Sequence, residues 1–308
     1  MRPRVLLPVP LTPVAEARLE RRAEVIRPPD TKAETLLQLV ANCDAILART
    51  NVRIDRAFLA AGRRLRVVGV AGVGTDRVDL AAAAEMGISV LSTPEAASDA
   101  VAEFTLGLLL SLMRPIAGSA AMYRDGRFAE ARREPHGVEL RGKTVGIVGM
   151  GRIGSRVART MSRGFDARIV YTDIIDISVP DVAATRIELC ELLETAEVVS
   201  LHTPLTDATR GMIDAAALAR MREHAFLINT ARGAVIDTVA LVETLRAGRI
   251  RAALDVTDPE PLPTDHPLFS LPNCLLTPHV AARTHAGMER MMGVVDEVLT
   301  FLGVDVPV

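Results

Sequence analysis

At 308 residues the chain has room for two domains of ordinary size, and its 49% apolar and 24% charged residues describe a globular chain rather than a disordered one. A formal net charge of −2 gives no electrostatic reason to expect a polyanion, which sets nucleic acid aside as a partner. Three widely spaced cysteines, Cys43, Cys190 and Cys274, form no C-x-x-C pair. They are expected to be reduced thiols, with no disulfide framework and no metal site.

The opening stretch MRPRVLLPVPLTP is basic and then apolar, but prolines at 8, 10 and 13 interrupt it, so it reads as a buried first strand and not as a targeting signal. No stretch approaches the roughly 18 consecutive apolar residues of a membrane span. A cytoplasmic protein with no membrane partner is expected.

Short β-branched runs alternate with alanine-rich amphipathic stretches along the chain, the pattern of α/β folds with parallel sheets. In the first third, strands are expected over 5–9, 45–48, 67–70 and 88–91, with helices near 12–22, 31–41, 55–61 and 76–85. A long helix follows near 99–114, apolar around most of its circumference and so expected to be buried against several neighbours. The polar, basic segment 123–139 reads as a surface connection. A second alternating series then begins, with strands over 144–148, 168–172, 198–201, 226–229, 251–254 and 274–277, and a final helix over 284–302.

The sharpest motif is TVGIVGMGRIGSRVARTM, in which a strand runs into Gly149-x-Gly151-x-x-Gly154 and straight into a helix. Gly149 permits a tight turn, Gly151 lets backbone approach a pyrophosphate, and Gly154 lets the helix pack closely on the strand. Arg152 and Ile153 lie in the same loop, whose N–H groups suit phosphate. Asp173 stands 19 residues after Gly154, at the end of RIVYTD, where an acid accepts the ribose hydroxyls and repels a 2′-phosphate. Ile174 and Ile175 follow it, not arginine, which favours NAD over NADP.

Three later segments place polar residues directly after apolar strands: FLINTARGAVID offers Arg232, ALDVTDPEPLP offers Asp255, Asp258 and Glu260, and NCLLTPHVAART offers His279. Together they suit oxidation of a hydroxy acid. A histidine takes the hydroxyl proton and returns it in reduction. An arginine fork clamps the carboxylate, and a carboxylate beside the histidine holds its ring and favours the imidazolium.

The segments GIVGMGRIG, SLHTPLTDATRGMID, LINTARGAVID, LDVTDPEPLP and LLTPHVA resemble the D-isomer-specific 2-hydroxyacid dehydrogenases, in that family's order. ARTNVRI, VAGVGTDRVDL and SDAVAEFTLGLLL extend the resemblance over nearly the whole chain. It implies two doubly wound parallel-sheet domains, a Rossmann NAD-binding domain (97–285) inserted in a flavodoxin-like substrate domain (1–96 plus 286–308). It implies Arg232, Glu260 and His279 as the catalytic set, with Arg232 also binding substrate. Asp255 would lie near the nicotinamide carboxamide, His202, Thr203, Pro204, Thr209 and Thr230 would line the cofactor, and the Val73-Gly74 backbone would receive the substrate carboxylate. Family members are typically homodimers through the NAD-binding domain, usually by the helix near 99–114 and the segment after it.

The substrate is left open between two types. Arg49 sits where 3-phosphoglycerate dehydrogenases carry a basic substrate-binding residue, whereas SDAVAEF looks more like glyoxylate or hydroxypyruvate reductases. Arg53, Arg132 and Arg133 are further basic candidates. Glu260 speaks against formate oxidation. A phosphite-type dehydrogenase and a non-catalytic, NADH-sensing corepressor-like protein remain as alternatives.

Overall fold

The computed structural model describes residues 2–49, 52–72, 74–133 and 137–305. The chain divides into two compact units, 1–97 with 283–308, and 98–282.

The first unit opens with β1 (Arg4–Leu6), α1 (Pro13–Glu20), β2 (Glu24–Ile26), α2 (Ala33–Val40), β3 (Ala45–Ala48), α3 (Arg56–Ala61), β4 (Val67–Val70), α4 (Leu80–Glu85) and β5 (Ser89–Ser92). Its five strands are parallel in the order β2-β1-β3-β4-β5. Every residue of β3 and β4 is buried, as a sheet covered on both faces requires. Aspartates start the helices: Asp55 accepts from Phe58 N at 3.0 Å and Asp79 from Ala82 N at 2.9 Å.

The second unit holds α5 (Ser98–Met113), α6 (Ile116–Arg124), α7 (Phe128–Ala131), β6 (Thr144–Val148), α8 (Arg152–Phe165), β7 (Arg168–Thr172), β8 (Ala184–Arg186), α9 (Leu189–Thr195), β9 (Val198–Leu201), α10 (Ala215–Arg220), β10 (Phe226–Asn229), α11 (Thr238–Arg246), β11 (Arg251–Leu254) and β12 (Cys274–Leu276). Its parallel sheet runs β12-β11-β10-β9-β6-β7-β8, so strand order reverses between β6 and β9. The apolar helix α5 lies against α8, β10 and β11, burying Val101, Thr105, Leu108, Leu109 and Leu112, and Pro115 follows its end. The chain finishes in the first unit with α12 (His285–Met291) and α13 (Val294–Phe301), and α13 packs on β4.

The doubly wound architecture expected from alternation is the one observed, with differences at its margins. β1 stops at Leu6 because Pro8 and Pro10 have no N–H to extend the ladder, and Leu7 N makes the next bond, to Ile26 O at 2.9 Å. The edge strands β2 and β8 were not expected; at three residues each they are too short to show a period. The segment 123–139 contains α7 and the end of α6 besides connection. The expected last helix is two, broken at Met292 and Gly293.

Gly69 shows how tightly α13 meets the sheet: a Cβ there would come within 2.6 Å of Val298 Cγ2 and 2.7 Å of Leu47 Cδ2. Gly69→Val therefore overpacks this core and is expected to cost about 1–3 kcal/mol. A lowered midpoint in urea unfolding would show it, and an unchanged midpoint would count against this packing.

Candidate functional site

In the second unit the polar candidates gather at the carboxyl ends of the strands, where open α/β sheets take ligands. β6 delivers Gly149, whose φ of +92° is the left-handed region that glycine adopts freely. A side chain there would strike the His202 carbonyl at 2.9 Å, so this turn and the one after β9 meet backbone to backbone. Gly154 is held equally close from the other side: its Cβ would stand 2.1 Å from Gly149 O. Gly151 differs, with open space where its Cβ would lie. It caps α8 without a side chain, and Arg152 and Ile153 form the first turn after it.

Asp173 lies just past β7. Its Oδ2 accepts from Met150 N at 2.8 Å, its Oδ1 from Ile175 N at 3.4 Å, and Arg186 donates to its carbonyl at 2.7 Å. The acid is thereby joined to the glycine loop, while Ile174 beyond it is 94% exposed.

After β9, His202 shares a hydrogen bond of 2.9 Å between its Nε2 and Ser200 Oγ. Its Nδ1 and the neighbouring Thr203 Oγ1 are buried without partners among the described residues. Burial pushes the imidazole down to about 3, so the ring is neutral at working pH. Thr209 Oγ1 donates to Pro204 O at 2.6 Å and closes this turn. The open face at Gly151 and the two orphaned polar atoms beside Gly149 fit a dinucleotide, whose phosphates and carboxamide supply partners of that kind.

Buried Asn229 ends β10 and shapes the next turn: its Nδ2 donates to Arg232 O at 2.9 Å and its Oδ1 accepts from Ala231 N at 3.0 Å. Thr230 in this turn bonds Thr105 Oγ1 at 2.8 Å, and Thr105 spends its own proton on Val101 O, so Thr230 is the donor. At Gly233 a Cβ would stand 2.0 Å from the Thr257 carbonyl carbon, which explains the glycine after Arg232 and brings this turn against the 257–260 loop.

That loop carries Glu260, and Glu260 Oε1 lies 2.7 Å from His279 Nδ1. His279 has a φ of +52°, a conformation a non-glycine residue holds only when its surroundings impose it. Asp255, 1% exposed, imposes it. Its Oδ1 accepts from Thr277 Oγ1 at 2.6 Å and Val280 N at 3.0 Å, its Oδ2 from Ala281 N at 2.8 Å, and its carbonyl from His279 N at 2.8 Å. Nδ1 is engaged by Glu260, and no described residue bonds Nε2, which is left to exchange a proton.

Of the remaining candidates, Arg49 and Gly74 belong to the first unit and are half-buried, and Val73 lies outside the described residues. Arg53 lies 3.5 Å from Asp55, and Arg132 stands over the Phe128 ring at 5.5 Å. Arg133 is exposed. Asn229, Ser200, Thr277 and Thr105 were not anticipated. A polar residue at or near the end of an apolar strand, as in FLIN and VVSL, was the available signal for the first two.

Residues 106–281 match the family model described as D-isomer specific 2-hydroxyacid dehydrogenase, NAD binding domain. The chain is 41% identical over 267 residues to a glyoxylate reductase of Thermofilum pendens, covering 84% of this chain and 78% of that one. It is 37% identical over 298 residues to a D-3-phosphoglycerate dehydrogenase of Methanocaldococcus jannaschii, covering 96% of this chain and 56% of that one. Among solved structures, an NADPH-dependent glyoxylate/hydroxypyruvate reductase of Sinorhizobium meliloti, in complex with NADP and malonate, superposes with a TM-score of 0.90 at 31% identity, covering 98% and 94% of the two chains.

The neutral His202 has a consequence for acid stability. The unfolded ring takes up a proton near pH 6.5 and the folded one only near 3, so stability falls as pH drops through that window. Between pH 7 and pH 5 this one residue accounts for roughly 2 kcal/mol. Urea unfolding of His202→Asn at both pH values is expected to lose correspondingly less than the parent, and equal losses would remove His202 from the account.

Proposed function

This chain belongs to the D-isomer-specific 2-hydroxyacid dehydrogenases, and from that premise we propose that Arg232, Glu260 and His279 carry an NAD-dependent interconversion of a small 2-oxo acid and its D-2-hydroxy acid. The observation that carries the proposal is the 2.7 Å pairing of His279 Nδ1 with Glu260, in the same unit as the glycine loop. When bound, NADH supplies the hydride. The N–H groups that open α8 hold its phosphates, Asp173 takes the ribose hydroxyls, and His202, Thr203, Pro204, Thr209, Thr230 and Asp255 line its remaining length.

Arg232 clamps the substrate carboxylate and stabilises negative charge on the reacting oxygen. Glu260 fixes the imidazole through Nδ1, so that Nε2 donates the proton in reduction and takes it back in oxidation. Asp255 sets the position of the whole His279 turn.

His279→Ala is expected to lower kcat by 10²–10⁴ while NADH binding, followed by nucleotide fluorescence, persists. Arg232→Lys should not restore what Arg232→Ala loses, because a lysine cannot form the two-pronged contact. Full NADH-dependent turnover of glyoxylate or hydroxypyruvate by His279→Ala would sink the assignment.

We also propose a homodimer formed through the second unit, in a reducing cytoplasm. The support is a series of exposed apolar side chains on α6 and α7, Ile116, Tyr123 and Phe128, at 55%, 66% and 53%. The cysteines are free thiols, and no single described helix is long and apolar enough to cross a membrane. Light scattering is expected to give twice the chain mass for the parent and a lower average for Ile116→Asp/Tyr123→Asp. A parent of single-chain mass would refute the dimer.

A further inference from the structure

Asn229 is the last residue of β10, a strand paired on both sides, with β9 and β11, and it is fully enclosed. Its carbonyl accepts from Asp255 N at 2.9 Å, so the ladder fixes its backbone up to the point where the chain leaves the sheet. Gly233 is fixed in turn by the close approach of Thr257. Between these two points run Thr230, Ala231 and Arg232, beyond the reach of the strand ladder.

The side-chain amide of Asn229 spans that gap. Ala231 N donates to its Oδ1 at 3.0 Å, and its Nδ2 donates to Arg232 O at 2.9 Å. Between those two contacts lies the carbonyl of Ala231, and Arg232 Nη1 donates to that oxygen at 2.7 Å. The guanidinium therefore leans on a carbonyl that Asn229 clamps from before and behind. Thr105 anchors Thr230, earlier in the same turn, through the 2.8 Å hydroxyl pair.

A primary amide offers a donor and an acceptor at fixed spacing, and here both are spent on one turn. An apolar residue at this position would leave Ala231 N and Arg232 O without these partners. An aspartate would set a carboxylate oxygen against the Arg232 carbonyl, acceptor against acceptor. Two-pronged recognition of a carboxylate depends on the direction of the guanidinium plane, so a turn that tilts forfeits it.

We propose that Asn229 is a positioning residue for the substrate: its side-chain amide aims the Arg232 guanidinium and so sets the affinity for the substrate carboxylate. This rests on the dehydrogenase reading above, in which Arg232 takes that carboxylate.

The test titrates oxamate, an unreactive analogue of a small 2-oxo acid, into the NADH-loaded chain and follows nicotinamide fluorescence. The parent, Asn229→Ser, Asn229→Asp and Arg232→Ala are compared. Oxamate is expected to bind about tenfold more weakly to Asn229→Ser and, at about pH 8, to Asn229→Asp, while NADH affinity stays within about twofold of the parent. Asn229→Asp should then regain oxamate affinity, relative to the parent, as the pH falls to about 5.5, because its protonated carboxyl can again donate to Arg232 O.

Burial favours that proton, Asp255 and Asp258 beside the position favour it further, and Arg232 opposes them. Thr105, which reaches the turn from α5, does not titrate, and His202 after β9 is neutral throughout this range. The titration of His279 divides out because the parent shares it.

Oxamate and NADH affinities that fall together would make Asn229 merely structural and overturn the proposal. So would an Asn229→Asp whose loss relative to the parent is the same at both pH values. Weak oxamate binding by Arg232→Ala, with both Asn229 variants like the parent, would overturn the proposal and leave the dehydrogenase reading standing. A parent that does not bind oxamate, or an Arg232→Ala that binds it as tightly as the parent, would overturn both.

Discussion

The buried carboxylate of Asp255 collects three hydrogen bonds from the turn that follows β12, and its carbonyl a fourth, from His279 itself. Few arrangements would hold a non-glycine residue at a φ of +52° against its own steric preference. A carboxyl group this enclosed must be met by hydrogen-bond partners, and those available here are the Thr277 hydroxyl and the backbone amides of Val280 and Ala281. Satisfying Asp255 and positioning His279 are thus a single requirement. Glu260 then needs only to reach the ring from the neighbouring loop for the histidine to be oriented through Nδ1 with Nε2 left open.

The same economy governs the cofactor side. Three turns leave the sheet side by side, after β6, β9 and β7; the first two meet backbone to backbone with no room for a side chain between them, and the third is joined through a side-chain carboxylate. Gly149 touches the His202 carbonyl, Gly154 touches Gly149, and Met150 N is taken by Asp173. The second pair of turns, after β10 and β11, is locked in the same manner at Gly233. Polar candidates scattered over more than a hundred residues of sequence become one edge because parallel strands all end on the same side.

Much of this was legible in the chain. The alternation of β-branched and alanine-rich runs announced parallel α/β structure, since helix and strand periods differ and each must bury one face. The Gly149-Gly151-Gly154 spacing announced the tight turn from β6 into α8, and the ordered motifs announced the family. Local pattern failed where elements are short or irregular. β2 and β8 have three residues each, and the final helix breaks at Gly293, where nothing in the amphipathic pattern marks an end. Asn229, Ser200, Thr277 and Thr105 were invisible as site residues because their work is done on partners distant in sequence or on a turn whose shape is not written locally.

Sequence by itself determined the fold class and the family, because those follow from residue type, spacing and order along the chain. Tertiary structure alone decided which carboxylate faces His279, which one holds its turn, and which arginines of the first unit are answered by acids. Ion pairs and buried hydrogen bonds depend on distance in space, and Asp255 with Thr277, or Glu260 with His279, come together only when the strands and helices between them have packed.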